Sequence, residues 1–136
     1  VPTIYPTHDC FTDMLEWFAE QLRRDPSIDV DGPALLLVHG LIHAPADYDT
    51  VRAGELYAHA WIEDATVDPP VVWQSGVLDG ERVVYAMPGD QFVELLRPHT
   101  STRYTARDAW RENRRSGNYG PWRPEYRTRC RNAGKR

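Results

Sequence analysis

The nine residues Leu56-Tyr57-Ala58-His59-Ala60-Trp61-Ile62-Glu63-Asp64 decide how this chain is read. Side chains alternate across a strand with period two, so Tyr57, His59, Trp61 and Glu63 share one face and Ala58, Ala60 and Ile62 the other. A titratable imidazole between two large aromatics thus stands on a strand whose opposite face is small and apolar. That setting suits a general base, and equally an ordinary core histidine whose ring nitrogens serve a structural partner.

Upstream, Ala34 to Gly40 is an apolar run of strand length, read as a buried central strand, and residues 41–55, with Pro45, Asp47, Asp49 and Gly54, read as a long loop. Before it, Phe11, Met14, Leu15, Phe18, Ala19 and Leu22 recur at helical spacing and predict an amphipathic helix. It opens near Cys10 with Thr7 or Asp9 as N-cap, and it ends before Asp25-Pro26. Residues 1–9 form an extended lead-in.

Downstream, Asp68-Pro69-Pro70 turns the chain into a third strand at Val71–Gly76, and Asp79-Gly80 signals a hairpin to a strand over 81–87. An antiparallel meander over 57–87 results. A short helix follows at Gln91–Leu96, stopped by Pro98, and another at Ala106–Arg115, with Thr105 and Asp108 at capping-box spacing and Gly117 beyond its end. The fold class is α+β: an N-terminal helix packed on a small antiparallel sheet, with extra C-terminal helices. At 136 residues the chain fits one core, read as a single domain over 1–117. Residues 118–136 form an aromatic and basic C-terminal extension in which Tyr119, Trp122 and Tyr126 pack back on the domain and the end beyond about 128 is disordered.

No apolar run reaches the length of a membrane span, and residues 1–6 lack the basic end and apolar core of a signal peptide, so the expected localisation is cytoplasmic. Cys10 and Cys130, near opposite ends, are read as reduced thiols. Charge is divided unevenly. From residue 97 onward twelve basic residues face three acidic ones, a net +9, whereas the first 96 residues carry four basic and seventeen acidic groups, a net −13. Either the two parts face each other or the C-terminal part meets an anionic partner.

The order of these elements carries chemistry. A thiol at a helix N-terminus has its pKa lowered by the helix dipole and the unsatisfied backbone donors, and an adjacent imidazole lowers it further. Cys10 occupies such a position, and its plainer role is a small buried residue at a helix start.

Asp9-Cys10-Phe11 before a helix, Val38-His39-Gly40 on a strand, then His59-Ala60-Trp61-Ile62-Glu63, resemble the transglutaminase-like branch of the papain-like thiol enzymes over roughly residues 7–76. The resemblance implies Cys10 as nucleophile, His59 as base and a residue on the next strand as orienter of the ring. Where that family shows Asp followed by Pro and Thr, this chain has Trp73-Gln74-Ser75, so Gln74 takes the third position, with Ser75 and Asp79 as alternatives. Gln accepts a hydrogen bond from an imidazole N–H but lacks the charge that stabilises an imidazolium. His8 and Asp9, with the Cys10 N–H, and Trp61 beside His59, are the implied oxyanion and substrate contacts. The implied activity is a cysteine hydrolase or acyltransferase on a protein or peptide amide, through a thioester and without a cofactor.

Other chemistries are open to the same residues. His39 and His43 stand four apart and His59 could join them on zinc, but Gly40 and Pro45 argue against one helix and no Glu lies between the two. The basic tail, interleaved with Tyr119, Trp122 and Tyr126, suits phosphate contact with base stacking, although no nucleic-acid-binding module is present. A non-catalytic binding protein of the same fold, taking nucleic acid on its basic C-terminus, is the alternative reading.

Overall fold

The computed structural model describes the backbone of residues 5–6 and the whole of residues 10–47 and 51–129. In chain order the elements are β1 (Tyr5–Pro6), α1 (Cys10–Arg24), β2 (Leu35–His43), β3 (Leu56–Asp64), β4 (Val71–Leu78), β5 (Glu81–Pro88), α2 (Gly89–Leu96), β6 (Thr100–Tyr104), α3 (Ala106–Ser116) and α4 (Pro124–Arg127). The fold is α+β, with helix α1 packed on one antiparallel sheet and short helices toward the C-terminus.

All pairings are antiparallel, in the order β1-β4-β3-β2-β6, with β5 also on β4. A strand has only two edges, and this fixes the feature that matters most. β5 pairs with β4 along its whole length, from Val71↔Pro88 to Leu78↔Glu81, so β3 and β1 share the other edge. β3 holds that edge only at Val71–Trp73, and β1 takes it at Gly76–Val77. In the same way β2 fills one edge of β3 from Leu56 to Asp64, while the other meets β4 only at Ile62–Asp64. Farther along that edge, Ala58 N–H donates to the Arg129 carbonyl at 2.9 Å. Between Ala58 and Trp61 on one side and Gln74 and Val77 on the other, the sheet therefore splits.

The two faces are packed separately. Phe11, Met14, Leu15 and Phe18 of α1 lie on Leu35, Leu37, Ala58, Ala60 and Ile62, with Ala109, Trp122 and Tyr126 closing the cluster. Ala58 and Ala60 let the helix approach the strand closely, and the Trp17 ring lies 4.8 Å from that of Trp73. On the other face Tyr57, Trp61, Val38, Ile42 and Val72 pack against Phe92 and Leu96 of α2.

Three local features differ from the sequence expectation. β2 runs on through Gly40 to His43 instead of ending at residue 40, because it is paired on both edges, with β3 as far as His43↔Leu56 and with β6 as far as Leu41↔Thr100. Gly40 is required there: a Cβ would lie 2.5 Å from the Thr100 carbonyl oxygen and 2.8 Å from Trp61 Cη2. The long loop shortens accordingly. β6, whose Thr-Ser-Thr-Arg-Tyr has little apolar alternation, forms because it completes the edge of β2, and α4 adds a turn of helix that positions Tyr126.

Gly40→Ala tests this packing. It should cost about 1–3 kcal/mol, the usual range for an overpacked core site, read as a lower urea midpoint at unchanged m-value. A loss under about 0.5 kcal/mol, the scale of a surface substitution, would contradict the close approach.

Candidate thiol–imidazole site

His59 and Gln74 span the split. Their elements diverge after Ile62↔Trp73, so no backbone ladder joins them, and the His59 Nε2–H donates to Gln74 Oε1 at 2.8 Å. The amide of Gln74 turns its carbonyl to the ring because its nitrogen faces Tyr85 Oη at 3.5 Å and Met87 Sδ at 3.9 Å, both on β5. Tyr85 pairs directly with Gln74 in the register, so the two side chains share a face. With Nε2 committed as donor, Nδ1 carries the lone pair of a neutral imidazole. That nitrogen is buried and has no hydrogen-bond partner among the described residues.

Electrostatics keep the ring neutral. His59 is 2% exposed, and its pKa is pushed down to about 4 by burial, which the Gln74 bond only partly opposes. Trp61 stacks on it with centroids 5.9 Å apart and 26° between planes, and the Tyr57 ring lies at 6.1 Å on its other side in the strand. The aromatic environment read from the sequence is thus formed. Trp61 in turn lies 5.0 Å from the Phe92 ring and lines a cavity of about 350 Å³ between α2 and the sheet, together with Leu36, Val72 and the Glu63–Arg103 pair.

Cys10 is the first residue of α1 and is 4% exposed. Only three residues separate it from β1, which lies in the split on β4, so the helix start is tethered to that opening. Its packing cluster is on the α1 face, with Ala58 and Ala60, whereas the His59 side chain leaves β3 on the other face. The split is the one opening between the two faces beside His59, and no hydrogen bond joins Cys10 to Nδ1.

The alternatives for the third position sit elsewhere. Ser75 is buried but, one residue on from Gln74, leaves β4 on the opposite face, and Asp79 occupies the β4–β5 turn with φ of 51°. His8 and Asp9 lie outside the described residues, as does Cys130. His39 is not a strand-end residue but lies in the middle of β2, on the α1 face, and His43 hydrogen-bonds through Nδ1 with the Arg97 carbonyl at 2.6 Å. Four-residue spacing on a strand separates them along its length, and among the described residues no three potential metal ligands come together. Tyr85 and Met87, which orient Gln74, carried no signal as site residues, since their place follows only from the β4–β5 register.

The charge division is partly satisfied within the fold. Arg103 makes a two-pronged contact with Glu63 at 2.7 and 2.8 Å, and Arg107 reaches Asp31 at 2.5 Å, each joining the basic part to the acidic part. Arg111, Arg115 and Arg123 pair with Asp108, Glu112 and Glu125. Among the described residues no helix is long and apolar enough to cross a membrane.

No protein-family model matches the chain, and neither the curated proteins nor the solved structures contain a match to it.

The ring's state has a direct readout. Because the folded pKa of about 4 lies below the ordinary 6.5, the unfolded chain binds more protons between these values, so His59 adds stability above pH 6.5 that is lost as pH falls to 4. Nitrogen chemical shifts should report a neutral Nε2–H ring at pH 7 that persists to about pH 5. A ring titrating near 6.5, or protonated on Nδ1 at neutral pH, would contradict the geometry.

Proposed function

We propose that the chain is a cysteine-dependent acyl-transfer enzyme, a thiol hydrolase or acyltransferase acting on a protein or peptide amide, with Cys10 as nucleophile, His59 as base and Gln74 as positioning residue. The observation that carries this reading is the wiring of His59: Nε2 held by the Gln74 carbonyl at 2.8 Å, and Nδ1 left as a buried acceptor.

In the proposed reaction the Cys10 thiol proton passes to His59 Nδ1 and the thiolate attacks the amide carbon. The oxyanion takes its hydrogen bond from the Cys10 N–H at the start of α1, where backbone donors lack helical partners. Collapse breaks the C–N bond, and the leaving amine takes the proton back from the imidazolium. Water, or a second amine, then gives its proton to His59 and cleaves the thioester, restoring the thiol. Burial favours a neutral ring at physiological pH, the state a base requires. Gln74 fixes the tautomer without supplying a negative charge, so the imidazolium is held less well than beside a carboxylate, and a modest turnover is expected. The cavity behind Trp61 offers an apolar place for a substrate side chain.

Iodoacetamide titration tests the assignment. Cys10 should alkylate in preference to Cys130 at mildly acidic pH, and His59→Ala should slow Cys10 by about a hundredfold, the lower end of what a positioned base contributes. Gln74→Ala should have a smaller effect in the same direction. Equal labelling of both thiols in every form would mean two ordinary cysteines and a non-catalytic fold.

A further inference from the structure

His39 is a second buried imidazole that the proposed chemistry does not use. It is fully buried in the middle of β2, and neither ring nitrogen has a hydrogen-bond partner among the described residues. Its surroundings are aromatic: Phe11 of α1 at 4.7 Å, Tyr104 of β6 at 5.2 Å and Trp122 at 4.9 Å between ring centroids. Gly120 lies so close that a Cβ there would stand 2.6 Å from His39 Cε1. A protonated imidazole in this cage has two donors and no acceptor.

The segment that closes the cage is held to the sheet by side-chain burial rather than by a backbone ladder. Residues 118–129 bond largely to themselves: Trp122 Nε1–H to the Asn118 carbonyl, and Arg127 to the carbonyls of Pro121 and Trp122. Their ties to the sheet are the Ala58 N–H to the Arg129 carbonyl, the Tyr126 and Thr102 hydroxyls at 2.9 Å, and the burial of Trp122 and Tyr126 in the cluster that also buries Cys10. β2, by contrast, is laddered on both edges. When the cage has to open, the segment yields before the strand.

We propose that residues 118–129 form an acid-released strap: protonation of His39 expels Gly120 and Trp122, detaches Arg129 from Ala58 and uncovers the start of α1 with its thiol. The strap stands on its own geometry, and only its description as a cover over a reactive site rests on the proposed function. Of the side chains in ring contact with His39, Tyr104 on β6 is the titratable one, and Cys10 on α1 and Tyr126 on α4 belong to the core cluster that Tyr104 and Trp122 share; Ala60 and Thr102, the register neighbours of His39, do not titrate. Tyr104 is held up at about 12 by burial and stays neutral, and the charges that bear on it are Glu112, Arg123 and Glu125. His39 itself is pushed down to about 3 by burial. In the open segment it regains an ordinary pKa, so opening gains about tenfold per pH unit below 6.5.

Amide exchange of the full chain, corrected for intrinsic rates, reads this directly. From pH 6.5 to 4.5 the protection of the Ala58 amide should fall by about fiftyfold, while the β2–β3 ladder stays the better protected, and Cys10 alkylation, expressed per thiolate, should accelerate in parallel. His39→Phe should leave Ala58 protected at pH 4.5, and His59→Gln should not. Trp122→Ala should lower Ala58 protection already at pH 7.5 and raise the His39 pKa toward 6 in a ring titration, a readout that holds even if His39→Phe does not fold. Equal protection of Ala58 and the ladder amides at every pH, an unchanged response in His39→Phe, or a His39 pKa unmoved by Trp122→Ala would overturn the strap. Ala58 exchange involves no thiol chemistry, so failure of the proposed enzyme leaves this result intact.

Discussion

The divergence of β3 and β4 after a three-residue pairing is the constraint on which the candidate site depends. Were the two strands laddered along their lengths, neither β1 nor Arg129 could reach the strand edges. The split brings four separate pieces of chain to one place: the edge of β3, the edge of β4, the strand end that leads into α1, and the end of the C-terminal segment. An imidazole and the carbonyl that fixes its tautomer are brought together there by topology, not by closeness in sequence.

The two sheet faces divide the labour between packing and chemistry. Alternation along β3 sends Ala58, Ala60 and Ile62 to α1 and His59 and Trp61 to α2, so the residues that seat the helix are not those that carry titratable groups. β2 reverses this, with His39 on the α1 face and Gly40 yielding room to Trp61. Each buried histidine is therefore held neutral by burial on its own face; Gln74 fixes the tautomer of one, and an aromatic cage surrounds the other.

Much of this was legible in the sequence where periodicity is strong. The stripe from Phe11 to Leu22, the alternation from Tyr57 to Glu63 and the Asp79-Gly80 turn each specify an element locally, and the structure has α1, β3 and the β4–β5 hairpin in those places. Thr105 also caps α3, accepting from the Asp108 N–H at 3.2 Å. β6 was not legible, since its residues become a strand only by tertiary pairing with β2. Nor was the place of His39: a lone histidine at the end of an apolar run gives no sign of the Trp122 and Gly120 that reach it from some eighty residues away. Gln74 could be placed near His59 by strand order, but the orientation of its amide depends on Tyr85 and Met87.

The proposed role of Cys10 and His59 as a nucleophile and base pair across the split has a simple chemical readout. Reaction with 4-nitrophenyl acetate, followed by intact-protein and peptide mass spectrometry, tests it most directly. A burst of nitrophenolate with transient acetylation of Cys10 is expected, lost in Cys10→Ala and strongly slowed in His59→Ala. Acetylation that spreads over Cys130 and the tail, or that is unchanged by His59→Ala, would contradict it.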